Sequence, residues 1–224
     1  MAGVKKSGSE VAQRRYHSPL RDENARETRA RILSAARGLF LGDGYATTSI
    51  NDIATAAGVA RPTVLTVFGT KAQLLRAVVD VAMAGNDRPV PVPQQPWFQP
   101  VWKATSGREC LEAYAHVCVL IGRRSAAVIE LVRRASDEGD EIREQWDELQ
   151  ANRLTGARSI AARVHELGDL APGLTVSRAG DRIWMANDSA HYLALVGDRG
   201  WSERAFETWL AEQMRATALG TSSA

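Results

Sequence analysis

The side chains best suited to chemistry in this sequence are Arg61, Thr63, Thr66 and Val67, with Asn51 ten residues upstream of the first. Spaced along one short helical segment, the four share an outer face, while Val64 and Phe68, one turn apart, point inward. One guanidinium among small, mostly uncharged side chains, beside a basic neighbourhood, suits recognition in a DNA major groove rather than bond-making.

The stretch that must position them is TTSINDIATAAGVARPTVLTVFGTK, Thr47 to Lys71. It reads as two short helices joined by a tight turn. Ser49 can cap the first, with Asp52 closing a capping-box-like pair. Ile50, Ile53, Ala54 and Ala57 fall at i, i+3, i+4 and i+7, one apolar stripe. Gly58 stands where a helix ends and the chain needs positive φ, and Val59 plugs the turn. Pro62 sits early in the second helix, where its missing N–H does no harm.

The 224 residues allow one or two domains, and 45% hydrophobic with 24% charged content is ordinary for a globular protein. Period-two alternation is scarce and Ala, Leu, Arg and Glu abound, which predicts an all-α fold of about nine helices. No apolar run approaches the roughly 20 residues of a membrane span, and the first residues lack an apolar signal core. Cys110 and Cys118, eight apart on one predicted helix, are separated by about 12 Å of rise, too far for a disulfide. Free thiols fit a reducing cytoplasm. Residues 1–71 carry 11 Lys/Arg against 6 Asp/Glu, the remainder 17 against 20. A basic front fits phosphate attraction at one end only, or is an arbitrary split of a near-neutral chain.

Residues 1–23 form a flexible basic stretch with Lys5, Lys6, Arg14, Arg15 and Arg21, either a solvated tail or an arm along DNA. A helix over roughly 24–42, capped by Asp22 or Asn24, buries Ile32, Ala35, Ala36, Leu39 and Phe40. With the two short helices it makes a three-helix unit, and a fourth helix runs from Lys71 to near Gly85. The first domain is thus 24–85. Five prolines mark 86–106 as a connector, and its Trp97, Phe98 and Trp102 dock on the second domain.

That second, helical domain covers 107–219, before a tail at 220–224. Its expected helices are 107–123, 125–136, 138–167, Thr175 or Ser177 to 197, and Trp201 or Ser202 to 218. The last two are apolar on more than one side, with Leu193 on the first and Phe206, Trp209 and Leu210 on the second. Such a pair suggests a two-fold subunit interface. Trp184, Asn187, Asp188 and His191 share a helical face, as do Trp146 with Arg153 and Tyr114 with Cys118. With Trp102, these are the candidate walls of a small-molecule pocket, core packing being the alternative for each.

At this point the chain resembles the tetracycline-repressor (TetR) family of bacterial regulators. The resemblance covers roughly 28–84 and rests on the spacing of the first helix, GYATTSINDIATAAGV, and RPTVLTVFGTKAQLL. It implies a homodimer on a double-stranded palindromic operator, with recognition helices about 34–36 Å apart or a variation on that spacing. It also implies a C-terminal effector-binding and dimerisation domain whose small-molecule ligand releases the operator. Carried over by position, Thr48 and Ser49 touch phosphate, Asn51 reads a base, Arg61, Pro62 and Thr63 open the recognition helix, Thr66 and Val67 lie deeper, and Lys71 binds phosphate. Arg can fork onto guanine, Asn onto adenine, and Thr and Val can meet a thymine methyl. The sequence departs from the family at Leu65, where a tyrosine usually contacts phosphate, and at Thr66 and Val67, which replace a commonly aromatic residue and a common histidine.

An enzyme is the rival class. His17, His116, His165 and His191 form no metal-ligand spacing, and there is no HExxH, nucleophile elbow or glycine-rich phosphate loop. The carboxylates from Asp137 to Glu148 read as a solvated helix face. The reading is therefore a cytoplasmic, nucleoid-associated repressor without catalysis, metal, cofactor or membrane contact. The alternative is an architectural DNA-binding protein with no ligand, whose second domain would be packed solid.

Overall fold

The computed structural model describes residues 19–219, with side chains from Glu23 onward. The expected stretch at 1–23 lies outside the described residues up to position 18, and the tail at 220–224 lies outside them entirely. The described residues are helical throughout, the one extended pairing being an isolated bridge between Leu170 and Leu219. No described helix is long and apolar enough to cross a membrane.

Helix α1 spans Pro19–Gly42, so Asp22 and Asn24 lie inside it rather than capping it. Its inward residues Ile32, Leu33, Ala36 and Phe40 are buried. Helix α2, Ile50–Ala57, has the capping box expected of Ser49 and Asp52, and ends on Gly58 at φ 64°. Helix α3, Arg61–Phe68, has no side-chain cap and begins with Pro62 in its first turn. The proline ring presets the helical φ that a cap would otherwise help select. Helix α4, Lys71–Ala84, opens on a second capping box, Thr70 with Gln73.

The proline-rich segment is not without helix. Single 3-10 turns occupy Val92–Gln94 and Pro96–Phe98, and a short helix α5 spans Gln99–Lys103. In each the proline takes one of the first two helical positions, where it removes no intrahelical bond. Phe98 is buried, with Trp102 stacked on it at 5.2 Å between centroids.

The two helices expected at 107–123 and 125–136 are one continuous helix α6, Gly107–Ala135. The polar run Arg123–Arg124–Ser125 does not break it, and the Ser125 hydroxyl is satisfied within the helix by donating to the Ile121 carbonyl. Helix α7 spans Asp140–Glu166 and α8 Val176–Ala186, capped by Thr175. The helix expected to reach 197 instead breaks at Asn187–Asp188. Asp188 caps the Ala190 N–H and starts a short α9, Ser189–Tyr192, continued by a π-helical turn over Leu193–Asp198. Helix α10, Glu203–Ala218, begins after the Ser202 cap.

Two apolar cores result. The lower one joins α1–α4 to the C-terminal end of α6 (Val128, Val132, Ala135) and the start of α7 (Ile142). The upper one joins α5 and the rest of α6 to α7, α8 and α10. Buried Gln145 of α7 also donates to the Ala72 carbonyl at 2.8 Å, in the first turn of α4. The N-terminal helices therefore pack into the same core as the long helices α6 and α7.

Candidate functional site

Val64 (1% exposed) and Phe68 (7%) anchor α3 to the lower core and leave its other side to solvent. Arg61, Pro62, Thr66 and Val67 are exposed and Thr63 is half-buried. Asn51 is exposed on the first turn of α2. These residues therefore share an accessible surface made by α2 and α3. Leu65 is half-buried.

The residues expected at phosphates are placed differently. Thr48 is buried and its hydroxyl donates to the Gly44 carbonyl at 2.7 Å. The hydroxyl satisfies the turn after α1, so only the backbone of Thr48 is left to meet a phosphate. Ser49 is exposed, but its hydroxyl donates to the Asp52 carboxylate at 2.7 Å and accepts from the Asp52 N–H. The Ser49 hydroxyl and the Ser49 N–H, which donates to the same carboxylate at 2.9 Å, hold the Asp52 carboxyl below its usual range. The Lys71 ammonium donates to the carbonyls of Tyr45 at 2.9 Å and Thr48 at 3.1 Å, and sits 4.1 Å above the Tyr45 ring. It clips the α1–α2 turn to α4, a role no spacing rule could reveal, since its acceptors are backbone atoms more than 20 residues away.

Charge is also distributed less simply than the basic front suggests. From Asp43 to Lys71 the charged residues are Asp43, Asp52, Arg61 and Lys71, a balanced set. The positive excess lies in 1–42, with nine Lys/Arg against four Asp/Glu.

Above this surface lies an interior cavity of about 910 Å³ between α4, α6, α7, α10 and the segment 86–93. Of the nine residues expected at a pocket, Tyr114, Cys118, Arg153, Asn187 and Asp188 line it. Trp146 and Trp184 line a smaller recess of about 390 Å³ that shares Arg153 and Asp188 with it. Trp102 lines neither: it stacks on Phe98 and donates its indole N–H to the Pro93 carbonyl at 2.9 Å. His191 also lines neither, with Nε2 3.1 Å from the Met185 carbonyl and its ring edge-on to Trp209. The break at Asn187–Asp188 is the reason, because it cancels the helical phase that put His191 on the face of Trp184.

The interface residues need correction too. Phe206 (2% exposed) and Leu210 (1%) are buried within the chain and line the cavity, so they cannot meet a partner. Leu193 and Trp209 are half-buried. The large apolar side chains left exposed near this helix pair are Met185, at 63%, and Trp201, at 38%.

Comparison with known proteins adds the decisive observation. Residues 32–78, from the middle of α1 into α4, match the model of the bacterial regulatory proteins of the tetR family. Residues 32–78 thus carry the DNA-binding segment of a tetR-family regulator. Over 58 residues the chain is 45% identical to the HTH-type transcriptional regulator TtgR of Pseudomonas putida, a match covering 26% of this chain and 28% of that protein. The curated relative is thus matched over little more than a quarter of its length. Whole-chain likeness comes from solved structures. The SmeT–triclosan complex superposes with a TM-score of 0.68 at 19% identity, over 87% of this chain and 93% of that one. The fatty acid degradation regulator FadR of Bacillus halodurans gives 0.65 at 19% identity, over 84% and 94%. At such identities the likeness establishes a shared fold across both cores.

Proposed function

We propose that this chain is a TetR-family regulator: a dimeric, sequence-specific DNA-binding transcriptional repressor that a small-molecule effector releases from a palindromic operator. The observation that carries the reading is α3: a helix held from beneath by Val64 and Phe68, with Arg61, Thr66 and Val67 uncovered above. Asn51 extends the reading surface from α2. Footprinting upstream of the protein's own gene at several salt concentrations tests it. A protected palindrome with steep salt dependence is expected, and uniform protection without sequence preference would overturn it. Arg61→Ala is expected to lose about 1–3 kcal/mol and to relax preference at one base position. Anisotropy titrations on operator variants measure both.

The architectural alternative calls for a solid second domain, and a cavity of about 910 Å³ argues against it. The solved structure of SmeT with triclosan is further support for a small-molecule ligand in this fold. A subunit contact through α8–α10 would use Met185 and Trp201 rather than Phe206 and Leu210.

A route from cavity to DNA surface is also available. Asp87 lines the cavity, and its carboxylate takes two hydrogen bonds from Arg29 of α1, at 2.7 and 3.2 Å. The same guanidinium lies 4.6 Å above the ring of Phe68, the last residue of α3. An occupant that displaces Asp87 therefore also disturbs the group packed on the reading helix, which gives the two states different ligand affinities. Asp87→Asn keeps the shape and removes the charge. It is expected to retain the footprint within a few-fold and to blunt ligand-induced release by about 5-fold or more. An unchanged release curve would remove this pair from the coupling.

A further inference from the structure

Most cavities that take charged ligands offer an uncommitted charge, and this one has its interior charges already paired. Arg153 of α7 is the cation inside it. Its Nη1 donates to the Trp184 carbonyl at 2.6 Å and to Asn187 Oδ1 at 3.1 Å. Nη2 reaches Gln150 Oε1 at 2.8 Å and Asp188 at 3.1 Å, and Nε reaches Gln150 at 3.3 Å. Four hydrogen bonds and one ion pair thus commit a group with five N–H bonds. The Trp184 ring covers its carbon at 4.3 Å. Asp188, the matching anion, is held by Arg153 and by the Ala190 N–H. At the other end Arg29 neutralises Asp87. The remaining charged lining residues, Asp80 and Arg88, are opposite in charge and lie at its solvent-exposed side, where partial burial raises the Asp80 carboxyl.

Between these pairs the walls are hydrocarbon and aromatic, with Val81, Ile121, Leu149, Phe206 and Leu210 among them. Of the uncharged polar side chains that line it, Asn86, Asn152, Thr155 and Ser159 among them, Tyr114 is the buried one, and its hydroxyl accepts from Asn187 Nδ2 at 2.7 Å with Cys118 alongside. Burial pushes the Cys118 thiol up to about 12 and raises the Tyr114 phenol, so both stay protonated at neutral pH.

We infer that the cavity selects an uncharged, mainly apolar molecule carrying one hydrogen-bonding hydroxyl or carbonyl group, which seats against the Tyr114–Asn187 pair. Away from the exposed Asp80 and Arg88, a buried anion could gain a partner only by pulling Arg153 from Asp188, leaving that carboxylate unpaired, and a buried cation would face the converse problem. Either exchange costs more than a hydroxyl that joins an existing neutral bond. The inference rests on the effector reading above and narrows it to a ligand class.

The test uses the full chain and three probes on one skeleton: biphenyl-4-ol, biphenyl-4-carboxylate and 4-biphenylylmethyl-trimethylammonium, titrated calorimetrically at neutral pH. Biphenyl-4-ol is expected to bind at least 10-fold more tightly than either ion. Tyr114→Phe should weaken its binding by about 5- to 10-fold, the loss of one neutral hydrogen bond, while binding of plain biphenyl is unchanged. Ile121→Trp, which fills the cavity from a half-buried wall position, should abolish binding and leave the circular dichroism spectrum intact. Equal or tighter binding of an ion, no binding of biphenyl-4-ol, or binding indifferent to both substitutions overturns the inference. Operator footprinting on the same samples separates the two readings. A footprint with a preference for an ion rejects this inference alone, whereas biphenyl-4-ol binding with no footprint rejects the DNA-binding reading alone.

Discussion

Phe40→Ala is expected to lower the unfolding free energy by about 3–5 kcal/mol, the range for emptying a fully buried aromatic site. Phe40 has no solvent exposure and its ring lies 5.5 Å from that of Tyr45. For a chain of this size the change corresponds to a fall of roughly 6–20 °C in melting temperature. Its more informative consequence concerns where the loss is felt. Phe40 belongs to a core that also contains Val128, Val132 and Ala135 of α6 and Ile142 of α7. If that core is one cooperative unit, the damage reaches helices far along the sequence. The chain offers a built-in reporter, because all six tryptophans lie between positions 97 and 209. Tryptophan fluorescence and far-UV circular dichroism should therefore move together in Phe40→Ala. A shift in dichroism with the fluorescence transition unmoved would show that α1–α4 unfold alone.

That shared core was only partly legible in the sequence. Local signals served well where one residue satisfies one nearby backbone group. Ser49 with Asp52, and Gly58 with its left-handed backbone, are both where their neighbours require them. The stripes that bury Ile53, Val64 and Phe68 were also readable, since a helix face follows from spacing alone. The signals failed where a distant group decided the outcome. Helices were expected to end at 123 and restart at 125, yet Arg123 pairs with Glu203 of α10 and Arg124 lies over the Trp97 ring at 4.7 Å. Those partners are about 80 and 27 residues away, and they let α6 run on uninterrupted.

The opposite failure occurred at Asn187–Asp188. Composition there continues a helix, but the Asp188 carboxylate captures the Ala190 N–H at 2.9 Å and restarts it. Asp, Asn and Ser compete with the helix in this way wherever tertiary contacts favour the alternative. Here the favouring contact is Arg153, which binds both the Trp184 carbonyl and the Asn187 side chain at the break. The same residue thus ends α8, fixes the cavity's polar end and rotates His191 away from it. One long-range contact thus sets the positions of Trp184 and His191, which helical spacing alone could not give, whereas α2 and α3 follow from spacing.

Lys71 provides the sharpest remaining contrast between a reading by position and a reading by geometry. Lys71→Met keeps the apolar stem and removes the charge and its donors. Charged hydrogen bonds contribute about 1.5–3 kcal/mol, so urea unfolding should show a loss of about that size. The lost bonds run to the carbonyls of Tyr45 and Thr48, in the turn that delivers the chain to the Ser49 cap. Loosening that turn frees the start of α2, where Asn51 stands, and operator binding should weaken on every sequence. Weakening alone does not separate the two roles, because a lost phosphate contact would also act on every sequence. The salt dependence does. A lysine on phosphate releases counterions, and its removal would flatten the log–log slope by about one unit. A lysine committed to two carbonyls releases none, and its removal should leave the slope unchanged while stability falls. Anisotropy titrations of Lys71→Met at four or five salt concentrations, alongside the urea curve, decide between them. A flattened slope with full stability would return Lys71 to the phosphate backbone.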